Sequence, residues 1–178
     1  MAVRYRRRDD GRAPSRIHDA VRVESLYVGA LACVAAFLIA FTFIHENKTD
    51  AALRRHAGLT VRVLAAKWHW SFFYPSGATA LGTDVTPPTL YVPADTSITF
   101  ELSSIDVIHA LWIPLTKFKR AAYPRVTQTF TLSFHRTGFY RDAGECAEFC
   151  GLLHSAMRFN LAVMTPARFA AWEAGARP

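Results

Sequence analysis

Between Cys146 and Met157 the sequence reads CAEFCGLLHSAM, which places two cysteines, a glutamate, a histidine and a methionine within twelve residues. Thiolate, imidazole and thioether are soft or borderline donors, and a cluster mixing all three suits copper better than the hard, oxygen-preferring cations. His109, in DVIHALWIP and 37 residues before Cys146, is a further imidazole at the end of an apolar run. A single-copper site of this kind needs one cysteine, two histidines and a weak methionine. Here a second cysteine follows four residues after the first, so two ions can share both sulfurs, with His109 and His154 as one terminal imidazole each. Met157 is then a weak ligand to one ion, and the backbone carbonyl of Glu148 is available to the other. Spreading one electron over two metals reduces the bond-length change on reduction, which suits electron transfer better than substrate binding. The plain alternative is a Cys146–Cys150 disulfide, which needs Cα atoms within ~7 Å. It leaves His109, His154 and Met157 without a role. The third cysteine, Cys33, lies in an apolar run and reads as a small buried hydrophobe.

Several elements must position this loop. Residues 1–24 form an arginine-rich tail in which Gly11 and Pro14 interrupt any helix. Leu26 to Ile44 then runs 19 residues without a charge, long enough as a helix to span ~30 Å, about one hydrocarbon core. A cleaved signal peptide is the alternative, but its apolar region is normally shorter, and no small-residue cleavage site follows before His45 and Glu46. Seven arginines precede the helix, whereas only Lys48, Arg54 and Arg55 follow closely, beside Glu46 and Asp50. The positive-inside rule therefore puts the N-terminus in the cytoplasm and the remainder on the periplasmic or outer face. The expected division is a basic tail over 1–24, a transmembrane helix over 25–45, a linker or helix continuation over 46–58, a β domain over 59–164 and a helix and tail over 165–178. Within the β domain, residues 59–65, 90–92, 97–102, 107–113, 127–133 and 159–163 are short β-branched or aromatic runs separated by Pro, Gly and Asp. Without intervening helices they predict an antiparallel sandwich. Thr165 as N-cap with Pro166 at the first helical position predicts a short C-terminal helix.

Of 178 residues 51% are hydrophobic and 13% aromatic, which is the composition of a packed domain. The net charge of +7 is concentrated in the tail, and no stripe of basic and aromatic residues tracks a phosphate backbone, so nucleic acid is not the expected partner. Residues 46–178 carry 14 Lys and Arg against 10 Asp and Glu, a net of +4. Long-range attraction of a basic donor needs an acidic patch; the expected electron donor is therefore acidic, tethered or docked through apolar contacts.

The pattern CxExCxxxHxxM, preceded by DVxH and a WxW segment, resembles subunit II of the haem-copper cytochrome c oxidases, which carries the binuclear copper A centre. KWHWSFFYP resembles that family's aromatic strand, DVIHALWIP its first-histidine strand, GECAEFCGLLHSAMRF its ligand loop, and YRRRDD with Arg22 and Glu24 its approach to the second transmembrane helix. The resemblance implies a cupredoxin-like Greek-key β-sandwich behind one N-terminal transmembrane helix. It implies two copper ions bridged by Cys146 and Cys150 and ligated by His109, His154, Met157 and the Glu148 carbonyl. The Glu148 carboxylate would help to hold magnesium at the junction with subunit I, and Trp68 would take electrons from cytochrome c or another periplasmic donor. Implied partners are subunits I and III; the chain alone would not reduce oxygen, and with no CxxCH it carries no c-type haem. Asp106 is the type of carboxylate the family places near its docking face. Among Trp68, His69, Trp70, Phe72, Phe73 and Tyr74, at least half are expected in the core. His18, His45, His56, His69 and His135 lack ligand-like spacing and read as surface or interfacial residues. The chain departs from the family in showing one apolar span where two are usual, and in having Lys119-Arg120-Ala121 and Pro124-Arg125 where the family shows KxD and then Pro-Gly. The alternatives are a copper A subunit of a nitric oxide reductase or other terminal oxidoreductase, and a membrane-anchored copper chaperone. A quinol oxidase subunit would lack the ligands, and a nitrous oxide reductase needs a large further domain.

Overall fold

The structure, a computed structural model, describes the backbone of residues 20–53 and 58–175 and the side chains of 20–46 and 58–175. Most of the basic tail with His18, part of the expected linker with His56, and the last three residues lie outside the described residues. The chain divides into two units, Met1–Asn47 and Lys48–Pro178.

The first unit is built on helix α1 (Val21–Leu53), rich in Leu, Ala and Phe and free of proline. Its apolar span, Val21–Glu46, contains an 18-residue window with a mean hydropathy of 2.4, and 26 residues at 1.5 Å each give ~39 Å, more than a hydrocarbon core. Apolar side chains are exposed all along it, from Leu26 to Ile44, as on a helix that faces lipid. The Thr42 hydroxyl donates to the Leu38 carbonyl (2.8 Å), so this polar group is satisfied within the helix. The helix runs on to Leu53, into the stretch read as a linker or helix continuation. Cys33 is exposed with its neighbours and not buried as expected, because the helix carries apolar residues on every side.

Among its described residues the second unit is a sandwich of ten strands: β1 (Leu59–Ala66), β2 (His69–Phe73), β3 (Thr79–Leu81), β4 (Thr89–Pro93), β5 (Ser97–Ser104), β6 (His109–Ile113), β7 (Phe118–Ala122), β8 (Gln128–Ser133), β9 (Gly138–Cys146) and β10 (Arg158–Met164). One sheet has the order β3-β2-β1-β5-β8 and the other β4-β10-β9-β6-β7. The expectation of a purely antiparallel sandwich needs correction, since β1 pairs with β5, and β10 with β4, in parallel. Alternation of apolar and polar residues fixes which face a side chain takes, not which way the neighbouring strand runs. Trp70, Phe72 and Tyr74 alternate inward from β2 and its end, while Trp68, His69 and Phe73 are half-buried. The Trp70 and Phe72 rings meet Phe159 edge-on at centroid distances of 6.0 and 5.3 Å, joining the two sheets under the ligand loop. Helix α2 (Pro166–Glu173) is capped as expected, with the Arg168 N–H donating to the Thr165 hydroxyl, and packs Phe169 and Trp172 on Tyr74.

Strand β6 starts at His109, two residues later than the run of apolar residues suggests. The Val107 N–H donates to the Asp106 carboxylate (2.7 Å) and the Val107 carbonyl accepts from the Ser104 hydroxyl (2.6 Å), so both backbone groups are taken before pairing begins. Strands β3, β7 and β9 were not apparent in the sequence. In β9 the segment Arg-Asp-Ala-Gly-Glu is poor in strand formers, and it is held by its neighbours β10 and β6.

Candidate metal centre

One end of the sandwich gathers the donors. Cys146 is the last residue of β9 and pairs with Leu111 of β6, which brings it beside His109. The loop that follows is pinned at both ends: the Cys146 N–H donates to the Met157 carbonyl (2.9 Å), and the Ala147 N–H to the Ala110 carbonyl (2.9 Å). Between these ties a short 3-10 turn, His154–Ala156, presents His154.

The donor atoms form a chain of contacts. Cys146 Sγ lies 3.7 Å from His109 Nδ1 and 3.2 Å from the Glu148 carbonyl oxygen. Cys150 Sγ lies 3.6 Å from His154 Nδ1 and 4.0 Å from Met157 Sδ. The two sulfurs are 3.8 Å apart and both thiols are free. A disulfide requires ~2.05 Å, so no bond joins them. His109, Cys146, Cys150 and Met157 are buried, whereas Glu148 is exposed, its carbonyl turned to the sulfur. The ligand atoms of His109, Cys146 and Cys150 all lie within 4.8 Å of one another. The structure thus brings together the six residues singled out as donors.

The donor set fits a soft, thiolate-binding metal. Burial pushes the Cys146 thiol up, but its contacts with His109 and neighbouring backbone groups outweigh burial and bring it well below the ordinary thiol range. Burial and the adjacent Cys146 sulfur both push the Cys150 thiol up. Burial lowers the His109 imidazole, but its contacts with Cys146 and Asp106 reverse that and raise it. The lowered Cys146 thiol favours the thiolate that a soft metal ion binds, and a metal at the shared site would displace the proton of Cys150 as well.

Asp106 has a role that spacing alone did not assign. Its Oδ1 lies 3.0 Å from His109 Nε2, and its Oδ2 accepts from the Lys67 N–H (2.8 Å). Burial pushes the carboxyl up, but the bonds from His109, Lys67 and Val107 hold it at about 2. A carboxylate on Nε2 leaves Nδ1 as the free ring nitrogen turned to the cysteine, the usual orienting partner of a metal-bound histidine. The DxxH spacing was the available signal, since residues three apart across a tight turn can meet.

Trp68 is half-buried and touches the ligand loop directly. Its indole Nε1–H donates to the Cys150 carbonyl (3.1 Å), and a Cβ placed on Gly151, whose φ is +117°, would lie 3.2 Å from its ring. Trp70 is wholly buried and donates to the Met157 carbonyl (3.4 Å). His69 and His135 stand apart from the donor cluster, His69 lying 3.6 Å from Asp84 and His135 pairing with Asp95, while within the first unit His45 packs on Phe41.

A β-sandwich with a cysteine- and histidine-rich loop at one end, preceded in the sequence by an apolar helix, defines a candidate metal-binding domain of the cupredoxin-like class on a membrane-anchored chain. Residues 78–164 match the family model for the cytochrome c oxidase subunit II periplasmic domain. The chain is similar to members of the cytochrome c oxidase subunit II family. It is 28% identical over 186 residues to a probable cytochrome c oxidase subunit 2 of Streptomyces avermitilis, covering 83% of this chain and 57% of that protein. To the cytochrome c oxidase subunit 2 of Alkalihalophilus pseudofirmus it is 27% identical over 180 residues, covering 98% of this chain and 51% of that one. The chain therefore spans little more than half the length of these curated relatives. The crystal structure of the periplasmic domain of cytochrome oxidase subunit II of Bradyrhizobium japonicum is similar, with a TM-score of 0.61 and 28% identity over 68% of this chain and 95% of that one.

Proposed function

We propose that this chain is the electron-accepting subunit of a membrane cytochrome c oxidase, holding a two-copper centre. The observation that carries this reading is the division of the donors into two equivalent halves. Cys146 has one imidazole (His109) and one weak oxygen donor (Glu148 carbonyl) beside it, and Cys150 has one imidazole (His154) and one weak sulfur donor (Met157). Two thiolates 3.8 Å apart, each with its own terminal pair, suit two ions that share both sulfurs. Copper bound there supplies one-electron redox chemistry. The protein's own part is to keep the donors in place in both oxidation states, and this follows from a loop tied to β6 and β10 at its ends and underlain by Trp70 and Phe159.

Trp68 is the proposed point of electron intake. It reaches the surface, and its indole N–H bonds to the carbonyl of a cysteine whose sulfur is a ligand, so a short bonded path runs from ring to metal site. The donor is a cytochrome c or another periplasmic carrier, and the acceptor is a haem in subunit I, with subunit III in the same complex. The exposed Glu148 carboxylate is free to hold magnesium at the subunit I junction, since only its carbonyl is turned to Cys146. The proposed topology has the N-terminus in the cytoplasm and the copper domain on the periplasmic or outer side, with the domain limits expected from the sequence; the arginine excess before α1 supports it.

The test is to load the detergent-solubilised full chain with copper and record its electron paramagnetic resonance. One unpaired electron shared equally by two copper nuclei is the expected result. A spectrum of a single copper nucleus, or a stoichiometry of one copper per chain, refutes the two-copper reading.

A further inference from the structure

The turn that carries Trp68 is held by contacts from outside itself. Strands β1 and β2 pair through Ala66 and His69, which leaves Lys67 and Trp68 as a two-residue hairpin turn. Such turns ordinarily rely on Gly, Asn or Asp for their backbone geometry, and neither residue is of that type. Three other segments supply the fixing. Asp106 accepts from the Lys67 N–H (2.8 Å), Asp84 Oδ1 accepts from the Trp68 N–H (3.2 Å), and the Cys150 carbonyl accepts from the indole (3.1 Å). Asp84 lies in the loop between β3 and β4, which is itself fastened to β2 where the Gly82 N–H donates to the Trp70 carbonyl (3.0 Å). A Cβ at Gly82 would come within 2.6 Å of Pro88 and 2.8 Å of that carbonyl, so the loop can lie this close only with glycine there.

Of the two carboxylates, Asp106 also bonds the ligand His109, whereas among the described residues the bonds and ion pairs of Asp84, to Trp68 and His69, involve no metal donor. We infer that Asp84 is a positioning residue for electron intake: by fixing the Trp68 backbone it keeps the indole on the Cys150 carbonyl, and so sets the transfer rate without acting on the metal ions. This rests on the reading of Trp68 given above. A group held by several directional contacts samples fewer geometries, and transfer through a bonded path depends steeply on that geometry. The rival role for Asp84 is electrostatic, since a half-exposed carboxylate beside the intake point also attracts a basic donor.

Asp84→Ala and Asp84→Asn separate the two, because asparagine keeps an acceptor oxygen for the Trp68 N–H but loses the charge. The copper-loaded full chain in detergent is mixed with reduced basic cytochrome c, and uptake is followed by stopped flow over a range of donor concentrations. For positioning, Asp84→Ala lowers the limiting first-order rate about fivefold, the effect of one lost hydrogen bond on the population of the held state. Half-saturation and the copper spectrum stay unchanged, and Asp84→Asn restores most of the rate. The inference is overturned if both variants raise the half-saturating concentration equally with no change in limiting rate, or if Asp84→Ala alters neither quantity. Trp68→Ala serves as the control: unchanged uptake in that variant removes the reading of Trp68 itself, whereas a loss there with no loss in Asp84→Ala removes only the role of Asp84.

Discussion

Replacing Asp106 by alanine tests whether the metal site depends on the carboxylate behind His109. The His109 side chain is fully buried and its Nε2 lies 3.0 Å from Asp106 Oδ1. When Nδ1 serves as the ligand, Nε2 carries the proton and must donate it, and in the alanine variant that donor is left in a buried place without its carboxylate. An unsatisfied buried donor costs about 1–3 kcal/mol, which corresponds to about 5- to 150-fold in affinity. Loss of an outer partner of a metal-bound histidine commonly costs about 10- to 100-fold, so the two estimates agree. The Lys67 and Val107 N–H groups also lose their acceptor, but the carboxylate they bond is about one-quarter exposed and water can take its place, so they add little. Asp106→Asn keeps an oxygen for His109 and turns an amide N–H₂ toward Lys67, so its loss is expected to be smaller than that of alanine. The assay is competition for Cu(I) against a coloured chelator with the full chain in detergent, together with denaturant unfolding of the metal-free protein. An affinity for the alanine variant within about twofold of wild type would refute the reasoning.

Three further outcomes follow from the packing and the charge. In Gly144→Ala the new Cβ would lie 2.0 Å from the Phe159 ring, which is fully buried between Trp70 and Phe72 and cannot swing away; thermal unfolding should show a loss of about 1–3 kcal/mol, and an unchanged Tm contradicts this. In Tyr74→Phe the Tyr91 N–H loses its 2.8 Å acceptor and the Tyr91 carbonyl its donor, at about 1–3 kcal/mol. Burial raises the Tyr74 phenol above its ordinary value of ~10, so the stability of its neutral form is full below that pH. It is lost as pH rises further, because the unfolded chain ionises first, and the difference between wild type and Tyr74→Phe in unfolding midpoints across alkaline pH should shrink accordingly. Finally, with a net of +4 outside the membrane span and with Phe149 and Leu152 exposed on the ligand loop, electron uptake from a basic cytochrome c should change little with salt; a steep fall in rate as salt rises contradicts an apolar or acidic docking partner.

The ligand loop was legible because its chemistry is local. Five of its donors, counting the Glu148 carbonyl, fall within twelve residues, and only His109 had to be fetched from another strand. The strands with regular alternation were legible for the same reason, as was α2 with Thr165 and Pro166 at its start. Asp84 reaches Trp68 across 16 residues and Asp106 reaches Lys67 across 39, through pairings that no local pattern encodes. Strand β9 was hidden by the residues its position demands. Gly144 is required where the Phe159 ring lies over the backbone, and Asp142 adopts a φ of +48° beside the irregular pairing between Phe159 and Leu161. Both residue types count against a strand when read alone. Irregular pairing of this kind ordinarily bends a strand, and here it falls just before β9 delivers Cys146. The feature that obscures the strand in the sequence is therefore part of what aims its last residue at His109.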